Sequence, residues 1–89
     1  QGLQDCREVS KMIDLIEDRI EAADVRYGPF ASTHEALGVA IEEWDELRDA
    51  IRSNDLKMVA YECLDLAAVL IRLARQLRAC DYKHNRSVK

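Results

Sequence analysis

The stretch EEWDELRDAIRSNDLKMVAYECLD, residues 42–65, decides how this chain folds. Leading into it and through its first half, Leu37, Ala40, Trp44, Leu47 and Ile51 recur at alternating spacings of three and four, the signature of one helical stripe. That helix is expected to end near Arg52, with Trp44 in the middle of its core face. Ser53, Asn54 and Asp55 are turn and N-cap residues, which leaves about two to four residues of connection. So short a link makes the two helices antiparallel neighbours. The following helix is predicted from Asp55 to Cys80. It carries two adjacent apolar ridges, one through Val59, Cys63, Leu66, Leu70, Leu73 and Leu77, the other through Ala60, Leu64, Ala67, Ile71 and Ala74. A helix apolar over so much of its girth needs cover on several sides, which implies a partner subunit.

The carboxylates of the same stretch fall in register. On the helical wheel Glu43 and Glu46 share a ridge with Val39 and Ala50, at the edge of the core stripe. On the next helix Glu62 and Asp65 share a ridge with Met58, Val69 and Arg72, and Asp65 is set among Leu64, Leu66, Ala67 and Ala68. Folding the hairpin about Asn54 brings Glu43 level with Asp65 and Glu46 level with Glu62, two rungs roughly 5 Å apart. Four negative charges in a partly buried space repel or take up protons unless a cation joins them. A hard divalent ion held by oxygens resolves the conflict, and Mg²⁺ fits best, with Mn²⁺ as a substitute. Neither helical motif contains the histidine that di-iron bundles use. Glu42 points nearly opposite the core stripe, as a solvated residue, an outer-sphere ligand or a water-orienting base.

Outward from the hairpin, Ser32 and Glu35 have the spacing of a capping box that opens the middle helix. Before it, Gly28 and Pro29 break the pattern. The first helix is predicted from Leu3 to Val25, with Cys6, Val9, Ile13, Ile16, Ile20 and Ala23 on its apolar stripe and Asp14, Glu17, Asp18 and Glu21 on a solvated face. Gln1 and Gly2 read as the remnant of a cleaved purification tag. Residues 81–89 read as a polar, basic tail.

With 89 residues, 48% of them apolar, one Pro and three Gly, the expectation is an all-α antiparallel bundle of three main helices, completed by oligomerisation to a homodimer or homotetramer. A net charge of −4 argues against a polynucleotide partner, because phosphate contacts need a basic surface. Cys6, Cys63 and Cys80 lack metal or redox spacing and read as reduced core thiols. With no membrane span and no signal-peptide pattern in the sequence, the expected location is cytoplasmic.

Glu42-Glu43-Trp44-Asp45-Glu46, then fifteen residues, then Glu62-Cys63-Leu64-Asp65 resembles the E-E-x-x-E and E-x-x-D motifs of the MazG-like all-α nucleoside triphosphate pyrophosphohydrolases. That superfamily includes dimeric dUTPases and phosphoribosyl-ATP pyrophosphatase. The stretch Tyr27-Gly-Pro-Phe-Ala-Ser-Thr-His-Glu-Ala-Leu37 is similar to short phage- and mobile-element-borne members. The resemblance covers most of residues 27–77 and would make residues 3–80 a single MazG-like domain. It implies that Glu43, Glu46, Glu62 and Asp65 hold Mg²⁺, and that a nucleoside triphosphate is cleaved between its α and β phosphates. Glu42 or Glu46 is then the candidate to orient or deprotonate water. Arg72, His34, Lys83 and Arg86 are candidates for contact with the nucleotide, although a salt bridge suits Arg72 equally well. Tyr27 and Phe30 are stacking residues or loop anchors. The competing expectation is a non-enzymatic helical oligomerisation or regulatory module, whose acidic cluster binds a basic partner or senses nucleotides.

Overall fold

Local chemistry at Ser53-Asn54-Asp55 sets the central hairpin. A computed structural model describes residues 6–84, with side chains described for residues 7–79. It contains α1 (Cys6–Tyr27), α2 (Thr33–Arg52) and α3 (Leu56–His84), and no strand among the described residues. At the end of α2, Asn54 takes a left-handed conformation with φ 60°. The Asn54 N–H donates to the Ile51 carbonyl and the Asp55 N–H to the Ala50 carbonyl, at 3.1 Å each. This paired pattern, a Schellman motif, stops the helix and reverses the chain. Asp55 then caps α3 by accepting the Met58 N–H on Oδ1 at 3.2 Å.

The entry to α2 is fixed by equally local bonds. Ser32 is extended and its hydroxyl oxygen accepts the Glu35 N–H at 3.0 Å. The Glu35 carboxylate accepts from the Ala31 N–H, one residue before the cap. At the end of α1, Gly28 adopts φ 73°, a conformation that disfavours side chains, and its N–H donates to the Asp24 carbonyl at 2.9 Å.

Helix α3 is the central element: α2 and α1 both pack on it, while among the described residues the backbones of α1 and α2 stay apart. The core is small. Phe30, Ala36 and Val69 form its centre, with Val39, Ala40 and Leu73 against them. Ile20 is the buried anchor of α1.

Several expectations need correction. Helix α1 runs to Tyr27 rather than Val25, and α3 continues to His84 rather than ending at Cys80, so residues 81–84 belong to a helix and not to a tail. Gln1, Gly2 and residues 85–89 lie outside the described residues. Helix α2 is rolled relative to its expected stripe. It buries Ala36, Leu47 and Ala50, whereas Leu37, Ile41, Trp44 and Ile51 are exposed, Trp44 at 51%. The ridge bearing Glu43 thus turns inward and the bulkier stripe turns out. Leu70 and Leu77 of α3 are likewise about half exposed. Cys63 is a free, exposed thiol and not a core residue; the Cys6 and Cys80 side chains lie outside the described residues. No described helix is long and apolar enough to cross a membrane.

Candidate metal centre

The roll of α2 that exposes Trp44 points Glu43 toward α3. There it meets Glu62 and Asp65, which stand one helical turn apart on the facing helix, and one carboxylate oxygen from each residue lies within 4.8 Å of the other two. Glu62 is only 8% exposed. Its Oε1 and the Oε1 of Glu43 are buried without a hydrogen-bond partner. A buried anionic oxygen with no donor is a costly arrangement that proteins relieve by protonation, pairing or a cation. The titration behaviour reflects this conflict. Burial, then the charges of Glu46, Asp65 and Glu62, push the Glu43 carboxyl up to about 7. Burial, then the charges of Glu46 and Asp65, raise the Glu62 carboxyl above its ordinary value.

These residues fit a hard divalent cation. They offer carboxylate oxygens alone, from two facing helices, and the orphaned Glu43 and Glu62 oxygens are donor atoms that a metal would satisfy. Glu46 is exposed and lies outside the group of three, yet its charge acts on both Glu43 and Glu62. The structure thus brings Glu43, Glu62 and Asp65 into one group and leaves Glu46 close enough to act on it through its charge. Glu42 is exposed and lines the cavity beside Glu43.

That cavity, about 550 Å³, is lined by residues of all three helices. Its α1 wall carries Arg19 and Arg26, and its α2 wall carries Glu42 and Glu43. Asp65, Ala68 and Val69 of α3 form the floor, and Tyr27 and Phe30 stand toward the α1–α2 loop. A ligand that suits both walls must present negative charge to the arginines and positive charge to the carboxylates.

The other candidate residues fall in varied places. Arg72 is 7% exposed and its donors are engaged in structure: Nε donates to Asp24 Oδ1 at 2.8 Å and Nη2 to the Gly28 carbonyl at 2.7 Å. Its guanidinium also stacks over the Phe30 ring at 4.5 Å. It pins the α1–α2 loop to α3 at the rim of the cavity, and Phe30 is a buried loop anchor. His34 is exposed in the first turn of α2 and does not line the cavity. The Lys83 side chain and all of Arg86 lie outside the described residues.

Sequence reasoning missed Arg19. Its Nε donates to Asp65 Oδ1 at 2.7 Å, and its guanidinium lies over the Tyr61 ring, 5.6 Å from the centroid. A signal was present: Arg19 stands three residues after Ile16 and four before Ala23, a cation set into an apolar stripe. Compared with protein-family models, curated proteins and solved structures, the chain matches none of them significantly.

Proposed function

We propose that the protein is a Mg²⁺-dependent nucleoside triphosphate pyrophosphohydrolase that converts a nucleoside triphosphate and water to the monophosphate and pyrophosphate. The observation that carries this reading is the convergence of Glu43, Glu62 and Asp65 from two facing helices, with the buried Glu62 Oε1 lacking any partner. The charge pattern of the cavity supports it, since a metal-bound triphosphate offers anionic oxygens to Arg19 and Arg26 and a cation to the carboxylates. The resemblance of the E-E-x-x-E and E-x-x-D motifs to the MazG-like enzymes supplies the choice of the α–β bond.

In this reading Glu43, Glu62 and Asp65 would hold Mg²⁺, with Glu46 at the border of the site. When bound, the ion would supply charge neutralisation of the triphosphate and polarisation of the attacked phosphorus. Glu42 and Glu46 are exposed carboxylates beside the cluster, placed to orient water or to accept its proton as the new bond to the α phosphorus forms. Arg26 supplies a fixed positive charge on the α1 wall. Arg72 holds the loop that bounds the site and acts on the substrate only through that positioning. The exposed stripe Leu37, Ile41, Trp44 and Ile51, together with Leu70 and Leu77, supports a homo-oligomer, because a soluble monomer seldom leaves this much aligned apolar surface uncovered.

The test is pyrophosphate release across canonical and modified (d)NTPs with and without Mg²⁺. Glu62→Gln and Asp65→Asn are each expected to reduce that release at least 100-fold, by order of magnitude, while the variants stay helical. Full activity in either variant, or orthophosphate as the product, sinks the assignment. Tight nucleotide binding without turnover would instead favour a sensing role.

A further inference from the structure

The carboxylate cluster already contains a cation, and it belongs to the chain. Arg19 reaches across from α1 and places Nε 2.7 Å from Asp65 Oδ1, while the rest of its guanidinium lies over Tyr61. The pair is partly open, with the Arg19 side chain 26% exposed and that of Asp65 41%. Arg19 is also one of the residues facing the 550 Å³ cavity. One residue therefore contacts a would-be metal ligand and borders the space a substrate would fill. Of the three clustered carboxylates, Asp65 has this guanidinium partner, whereas Glu43 and Glu62 each keep a buried oxygen without one. A single guanidinium thus offsets part of the negative charge and leaves the deeper oxygens unsatisfied.

We propose that Arg19 is an exchangeable occupant of the cluster: it holds Asp65 while no metal is bound, yields that carboxylate when a divalent cation enters, and then serves the anionic oxygens of a triphosphate in the adjoining cavity. The proposal rests on the reading of Glu43, Glu62 and Asp65 as metal ligands. A guanidinium and a divalent ion draw on the same carboxylate charge, so full strength of one contact weakens the other. The Tyr61 ring supports the guanidinium without consuming an N–H, which leaves its remaining donors available to turn toward phosphate. Exchange couples the two binding events. The ion removes the partner that keeps Arg19 in place, and the freed cation favours an anion on the same side of the cavity.

Binding of Mn²⁺, followed by the paramagnetic resonance signal of the free ion, tests the first half without any turnover. Arg19→Gln is expected to bind Mn²⁺ about fivefold more tightly than wild type, the size of a partly exposed ion pair that no longer has to be broken. Arg75→Gln is the matched control. Arg75 joins the same two helices through Glu17, 2.6 Å from Nη2 to Oε2, and does not touch the cluster. Its loss should change Mn²⁺ affinity less than about twofold, within the range of a screened distant charge. With Mn²⁺ saturating, inorganic tripolyphosphate should bind Arg19→Gln about tenfold more weakly, as expected for one lost charge-assisted contact. In the wild-type protein, the Arg19 Nε–H resonance should shift and exchange faster with water on addition of Mg²⁺, which tests the same release without a substitution. Equal Mn²⁺ affinity in wild type and Arg19→Gln, an equal gain in Arg75→Gln, or an unmoved Nε–H resonance at saturating Mg²⁺ overturns the exchange while the metal centre stands. Absence of Mn²⁺ binding in all three proteins overturns the metal centre and the exchange together.

Discussion

Glu43→Gln should stabilise the metal-free protein at pH 8 and do nothing at pH 4.5. The Glu43 carboxyl has an ordinary value of 4.5 and is pushed up to about 7 by burial and by its acidic neighbours. Its value is higher in the folded state, so between 4.5 and about 7 the folded protein binds more protons than the unfolded chain. The contribution of Glu43 to stability therefore falls as pH rises through that window and is flat on either side. At about 1.4 kcal/mol per unit, the difference between 4.5 and about 7 amounts to roughly 3 kcal/mol. Glu43 is half-buried, and screening reduces this to about 2 kcal/mol. For a domain of this size the corresponding change in Tm is about 8–16 °C.

Glutamine keeps the shape of the side chain and carries no charge, so the variant should not lose stability across that window. Its Oε1 also loses no hydrogen bond, because the glutamate Oε1 has none. Thermal and urea unfolding in EDTA at pH 4.5, 6, 7 and 8 would measure the gap between the two proteins, which should open from near zero to about 2 kcal/mol. Taking the difference removes the contributions common to both proteins. Saturating Mg²⁺ should raise wild-type stability most at pH 8, where the carboxylate is ionised before the metal arrives. A gap that is constant across the pH range, or absent at pH 8, would refute the reasoning that burial and like charge act on Glu43.

Two further outcomes follow from the packing. Arg72→Met keeps the apolar stem but loses the bonds to Asp24 and Gly28; urea unfolding should show a loss of about 2–3 kcal/mol, and a loss below about 0.5 kcal/mol would show that the loop is held by other contacts. Leu37→Glu and Leu70→Glu, made separately, place a charge on an exposed apolar position of α2 or α3. Light scattering should report a lower assembly mass for at least one of them than for wild type, and an unchanged mass in both would remove these faces from any interface.

The hairpin was legible in sequence because its determinants are local. Asn54 stops α2 through bonds to residues no more than five positions away, and Ser32 opens it through Glu35. A tight connection then fixes which residues stand level, so the meeting of Glu43 with Asp65 followed from register before any packing was known. The roll of α2 did not follow. Leu37, Ala40, Trp44, Leu47 and Ile51 make the stronger apolar stripe, but periodicity ranks stripes by hydrophobicity, and close approach depends also on size. Ala36 and Ala50 are weakly hydrophobic, yet together with Leu47 they are the residues α2 buries. Periodicity puts Trp44 in the core, and the structure leaves it half exposed.

The position of α1 was hidden for a different reason, which bears on the site. Arg19 and Asp65 are 46 residues apart, Asp24 and Arg72 are 48, and Glu17 and Arg75 are 58. No local rule joins them. These three guanidinium–carboxylate pairs link α1 to α3, while the apolar stripe of α1 commits little to the interface: Val9 and Ile13 are exposed and Ile20 alone among its large residues is buried. An interface held in this way is more sensitive to salt than an apolar one. The backbones of α1 and α2 stay apart, and residues of both helices line the cavity. One of the three links draws on Asp65, a member of the carboxylate cluster, so the charge state of the cluster and the seating of α1 are coupled through a single side chain. A cation that satisfies Glu43 and Glu62 would act at the same time on the wall that faces it.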